Sequence, residues 1–109
     1  MSRPGSPDTP PTRNFSRPNV APPKALIIES SSAASAENWK IWRQMWDNYV
    51  IISGIDSQSE EYQAALFLHS IGADAMRIYN GMKFNTGESR HNTEDIIAKF
   101  TSHFLGETI

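Results

Sequence analysis

The sequence predicts an all-α fold: a small bundle of about four helices behind a Pro-rich N-terminal tail. Three observations predict it. Trp39, Trp42, Trp46 and Tyr49 are spaced three, four and three residues apart. At 100° per residue, that places four aromatic rings within an arc of about 80°. All seven prolines lie between Pro4 and Pro23, so nothing in the rest of the chain breaks a helix by locking φ or removing an N–H. The later apolar residues recur at helical spacing between glycines at Gly54, Gly72 and Gly81.

Residues 1–34 are rich in Pro, Ser and Arg and poor in large apolar groups. Such a stretch cannot offset its ordering entropy and is expected to be disordered or polyproline-like. Leu26-Ile27-Ile28 is its one apolar patch, able to dock on the folded part as an extended segment. Pro4, Pro7 and Pro10 follow the P-x-x-P spacing of SH3 ligands, but the flanking arginines sit out of register for that use. Residues 35–109 are the expected folded domain.

The first helix is expected to start at Ser35, with Asn38 as the rival N-cap, and to end before Gly54. Adding Ile41, Met45, Val50 and Ile52 to the aromatic stripe widens its apolar arc to about 180°. That is more than one neighbour needs and implies contacts on two sides. Lys40, Arg43, Gln44 and Asp47 make the solvent face, with Ile51 an apolar exception among them.

Ser57-Gln58-Ser59-Glu60 reads as a capping box opening a second helix, with Glu60 and Glu61 at the positive end of its macrodipole. Its apolar residues go nearly all round: Tyr62, Ala65 and Leu66 on one side, Phe67, Leu68 and Ile71 on another. That pattern predicts a central helix, with Ala64 and Ala65 allowing close approach. A short third helix runs from Asp74 to Asn80, with Ala75, Ile78, Tyr79 and Met82 as its contacts and Phe84 closing the core after it. Residues 85–92 lack periodicity and read as a loop. Thr93 is the expected N-cap of a fourth helix whose stripe is Ile96, Ile97, Phe100 and Phe104.

Charge and composition exclude several functions. The first 34 residues hold four basic against two acidic side chains, and the rest six against ten. An acidic folded part is a poor phosphate binder. The chain has no cysteine, so disulfides and Cys-ligated zinc or Fe–S sites are excluded. There is no apolar run of membrane-spanning length and no signal-peptide core, so an intracellular, cytoplasmic protein is expected.

No catalytic set has useful spacing. His69, on the second helix beside Tyr62 and Leu66, is expected to be buried and hydrogen-bonded. His91 falls in the loop and His103 near the last helix end. Glu60, Glu61, Glu94 and Asp95 all sit at helix starts, where capping explains them. Phosphate-binding, dinucleotide-binding and nucleophile-elbow motifs are absent from the sequence. The chain is expected to be no enzyme and to take no cofactor, metal or small-molecule substrate. A base-stacking platform would need basic residues on the aromatic face, and Lys40 and Arg43 project from the other one. The residues that matter are therefore structural: Trp39, Trp42, Trp46, Tyr49, Leu66, Phe67, Leu68, Ile71, Ile78, Tyr79, Ile97, Phe100 and Phe104.

An ordered set of short blocks resembles the N-terminal capsid region of the Gag polyprotein of Ty3/gypsy-type LTR retrotransposons. The blocks are E-N-W-x-x-W at Glu37 to Trp42, aromatics at Trp46 and Tyr49, and S-G at Ser53-Gly54. They continue with F-L-x-x-I-G at Phe67 to Gly72, A-x-x-I-Y at Ala75 to Tyr79, Phe84, and I-I-x-K-F-x-x-x-F from Ile96 to Phe104. The resemblance covers roughly residues 24–109. It implies an all-helical capsid N-terminal lobe, cut short at its C-terminus, that joins other copies of itself through capsid-type contacts into a particle. It implies no catalytic residue. Gag proteins commonly bind RNA through a zinc knuckle, which needs cysteines this chain lacks, so nucleic acid is an expected partner only indirectly or through parts outside the chain. The alternative is a cellular helical adaptor, whether Gag-derived or not, that binds a partner protein's helix or peptide along the wide face of the first helix.

Overall fold

The computed structural model describes residues 20–106. Among them the chain forms four helices and no strand: α1 (Ser32–Ser53), α2 (Glu60–Ile71), α3 (Ala73–Asn80) and α4 (Thr93–Leu105), with a 3-10 turn at Ile55–Ser57. The expected all-α class is the observed one.

Helix α1 stops where its sequence demands. Gly54 adopts φ 73°, a left-handed conformation that costs a Cβ-free residue little, and its N–H bonds the Val50 carbonyl. Its start differs from expectation. Ser31, not Ser35 or Asn38, is the N-cap, its Oγ accepting from Ala34 N. The Ala-rich turn that follows propagates readily. Ser35 and Asn38 are engaged elsewhere: Ser35 Oγ both donates to Glu29 O and accepts from Glu29 N, and Asn38 Nδ2 donates to Ile27 O.

Two other caps move by one or two residues. Helix α2 is capped by Ser59, whose side chain accepts from Tyr62 N, while Ser57 ends the 3-10 turn and donates to Gly54 O. Helix α4 is capped by Asn92, accepting from Asp95 N, rather than by Thr93. The acidic first turns of both helices stand as expected.

Helix α4 packs against both α1 and α2, and α3 packs against α2. The core is an aromatic array. Trp39, Trp42 and Trp46 stack along α1, with centroids 6.3 and 5.9 Å apart. Phe67 of α2 meets Trp42 and Trp46 edge-on, at 88° and 90°. Phe100 of α4 closes the array, 5.5 Å from Trp39 and 6.1 Å from Phe67. Offset and edge-on pairs of this kind each add about 0.5–1.5 kcal/mol beyond area burial.

Helix α2 touches the other three helices but, contrary to what its apolar pattern predicts, is not enclosed on all sides. Ala64, Phe67, Ser70 and Ile71 are buried, but Tyr62, Ala65 and His69 form an exposed face. The spacing of 62, 65 and 69 is one helical stripe, and among the described residues no element lies over it. The expected buried His69 is accordingly a solvent-facing one.

The segment before α1 is a further structural element. Residues 20–34 fall within the expected disordered tail, yet 20–31 run as an extended strap against the bundle. Leu26 is 4% exposed and its N–H donates to Ile71 O at 2.9 Å. Trp42 Nε1 donates to Lys24 O at 2.6 Å. The expected docking of Leu26-Ile27-Ile28 is thus present, through Leu26 and the half-buried Ile28, with Ile27 outward. Gly72 makes the close approach possible: at φ 96°, a Cβ there would stand 2.5 Å from Ala25 Cβ. Residues 1–19, including the P-x-x-P spacing, lie outside the described residues.

Candidate functional site

The residues singled out by the sequence sort into two depths. Trp39, Trp42, Trp46, Tyr49, Phe67, Ile71, Tyr79, Ile97 and Phe100 are buried, with Ala64, Ala75 and Ile96 beside them. Leu66, Leu68, Ile78 and Phe104 are half-buried around this cluster. The three indoles are between 1% and 5% exposed, so none offers a face on which a base could stack. Two of their N–H groups are spent within the fold, Trp39 Nε1 on Thr101 Oγ1 at 3.3 Å and Trp42 Nε1 on the strap.

Ionisable groups do not converge. His91 Nδ1 lies 3.6 Å from Glu61 Oε2 on the surface, and His103 stands edge-on to Phe104. Among the described residues no group of three or more His, Asp or Glu could hold a metal ion. Among them, too, no helix is long and apolar enough to cross a membrane.

One polar cluster was invisible to periodicity. The Arg90 guanidinium lies 4.4 Å from the Phe84 centroid and 5.0 Å from that of Tyr79, and it donates to Met82 O. Lys99 Nζ sits 5.5 Å from the same Phe84 ring and 2.8 Å from Glu88 Oε1. The Lys99 hydrogen bond, then the Asn85 N–H, hold the Glu88 carboxyl below its ordinary pKa. This set pins residues 82–90 over the α3–α4 end of the core. Its only sequence signal is a pair of cations flanking an aromatic, which occurs too often by chance to identify it.

What remains is a surface. Ile41, Met45 and Ile52, expected to widen the buried arc of α1, are 50%, 49% and 39% exposed. With Trp42 and Tyr49 they floor an open groove of about 590 Å³, whose other wall is the strap from Val20 to Ile27. Val20 and Ile27 are themselves exposed. Contiguous exposed apolar side chains of this kind mark interaction surfaces more often than scattered ones do. The groove holds no carboxylate, and Lys24 is its one cation among the lining residues. It can take an apolar element by burial.

Comparison of the chain with known protein families, with curated proteins and with solved structures found no match.

Proposed function

We propose that this chain is a structural self-association module, resembling the capsid N-terminal lobe of a retrotransposon Gag and contributing to particle assembly. The observation that carries the reading is a coincidence of two residue sets. The blocks that resemble Gag are also the blocks that build the core. Trp39, Trp42 and Trp46 line the buried face of α1, Phe67 and Ile71 that of α2, Ala75 and Tyr79 that of α3, and Ile96, Ile97 and Phe100 that of α4. A capsid lobe needs a rigid helical body with apolar surface left over for its neighbours, and the α1 groove supplies that surface. The same groove favours a second reading, a helical adaptor that seats a partner's helix or peptide.

Light scattering of the full chain across concentration separates the two. A mass rising with concentration, with particles seen by negative-stain microscopy, is the expected result. A constant single-chain mass, together with co-purification of one distinct protein, would replace it with the adaptor.

A further inference from the structure

Ile41, Met45, Asn48 and Ile52 follow one another at intervals of four, three and four residues. That is the a/d spacing of a coiled-coil seam, carried over about 16 Å of helix. All four residues are exposed, on a face centred roughly 110° around α1 from the buried indoles. An amphipathic helix normally spends such a stripe on its own core. Here the core uses the neighbouring stripe, and this one is left over.

We propose that the seam is a self-pairing surface whose occupant is the same seam of a second copy, parallel and in register; the proposal rests on the self-association reading and names its contact. Three features select that occupant and that orientation. The seam carries no charge, so two copies meet without repulsion. Parallel pairing sets Asn48 against Asn48, where two amides hydrogen-bond each other; antiparallel pairing sets each amide against a Met45 side chain and leaves it unsatisfied. Parallel pairing also brings the residue five before a flanking position on one helix across to that position on the other. Glu37 is thereby carried to the Trp42 side of the partner helix, where the strap holds Lys24 through the bond from Trp42 Nε1 to Lys24 O. Glu37 and Lys24 are both exposed, and neither has an ion-pair partner among the described residues. In the antiparallel alternative the two charges end up about 20 Å apart along the helix. Two heptads bury less than a standard interface, so the pair is weak, with a Kd on the order of 0.1 mM.

Sedimentation equilibrium of the full chain, from about 10 μM to about 1 mM, tests this. The wild-type mass should rise toward at least that of a dimer. Met45→Glu should weaken pairing at least about tenfold, because it buries a carboxylate at the centre of the seam. Glu37→Lys and Lys24→Glu should each weaken it about threefold, and the double variant should return to near the wild-type value. Circular dichroism checks that each variant keeps its helices. The charge pair lies on exposed positions, so it decides the matter even if Met45→Glu unfolds. Self-association that persists unchanged in Met45→Glu, with no rescue in the double variant, overturns the seam and leaves the self-association reading standing. A wild-type chain that stays monomeric up to about 1 mM overturns both.

Discussion

Two adjoining stripes of α1 are both rich in large apolar side chains and are treated in opposite ways. Trp39, Trp42 and Trp46 are almost wholly enclosed, while Ile41, Met45 and Ile52 stand about half in water. Hydrophobicity alone does not explain the difference. What decides it is what the rest of the chain places opposite: Phe67 and Phe100 face the indoles, and among the described residues only the strap borders the second stripe. Burial on a helix this apolar is therefore assigned by its neighbours, and the stripe left without one is where association energy remains available.

The sharpest way to break the comparison is one truncation on each stripe. Trp46→Ala removes a ring stacked on Trp42, tilted against Tyr49 and crossed by Phe67. It should cost about 3–5 kcal/mol, enough to unfold most of a domain this small. Trp39→Ala should fall in the same range. Met45→Ala, one residue from Trp46, should shift stability by no more than about 0.5 kcal/mol in the monomer. Urea denaturation followed by circular dichroism measures all three. Equal losses at Met45 and Trp46 would mean that the second stripe is as enclosed as the first.

The strap sets the boundary between the stripes, so loosening it should enlarge the exposed one. Leu26→Ala leaves a void beneath the strap and weakens the support for its bond to Ile71 O. The expected loss is about 2–3 kcal/mol, the lower part of the range for a buried leucine, because the strap can close partly over the gap. Proteolytic cutting between residues 20 and 31 should accelerate in parallel. A Leu26→Ala chain as stable and as resistant as wild type would detach the strap from the fold.

The sequence shows much of this architecture, and the misses share a cause. The end of α1 is legible because Gly54 can take a left-handed φ without strain, and the α4 core because Ile96, Ile97 and Phe100 repeat at helical spacing. The start of α1 is not legible, since Ser30, Ser31, Ser32 and Ser35 are all competent caps. The choice falls to Ser31 because Ser35 is taken up by Glu29 of the strap, a tertiary event. Likewise α2, apolar nearly all round, does not say which of its faces goes uncovered. Its Tyr62–His69 stripe is exposed because α1, α3 and α4 fill the other sides. The α1 groove was half legible: a 180° arc foretold two contacts, but periodicity could not say which of them the chain itself would make.

Caps give smaller effects. Asn92→Ala removes the side chain that accepts from Asp95 N and should cost about 1 kcal/mol. Thr93, the neighbour expected to fill that role, has a buried Oγ1 with no hydrogen-bond partner among the described residues. Thr93→Val, which replaces the hydroxyl by a methyl of similar shape, should be neutral or stabilising by up to about 1 kcal/mol. Thermal melts of the two variants should therefore move apart, and a larger loss for Thr93→Val than for Asn92→Ala would return the cap to Thr93.

The smallest expected effect is a pH dependence at Glu88, which does not line the α1 groove. Glu88 accepts from Lys99 and from Asn85 N, and these bonds favour its ionised form, so its pKa is lower folded than unfolded. A carboxylate depressed in this way adds stability that is fully present above its unfolded pKa and disappears as pH falls through the folded value. Glu88→Gln should therefore be less stable than wild type at neutral pH, and the gap should close on acidification toward about pH 3. Because Glu88 holds Lys99 near Phe84, and Phe84 meets Tyr79 edge-on, the loss should appear as looser packing of residues 82–90 and leave the α1 groove untouched. Hydrogen exchange at neutral pH locates it. A gap that stays constant from about pH 7 to about pH 3 would show that Glu88 acts only by its shape, and protection lost in α1 would show the loosening passing through Tyr79 and Phe100 to Trp39.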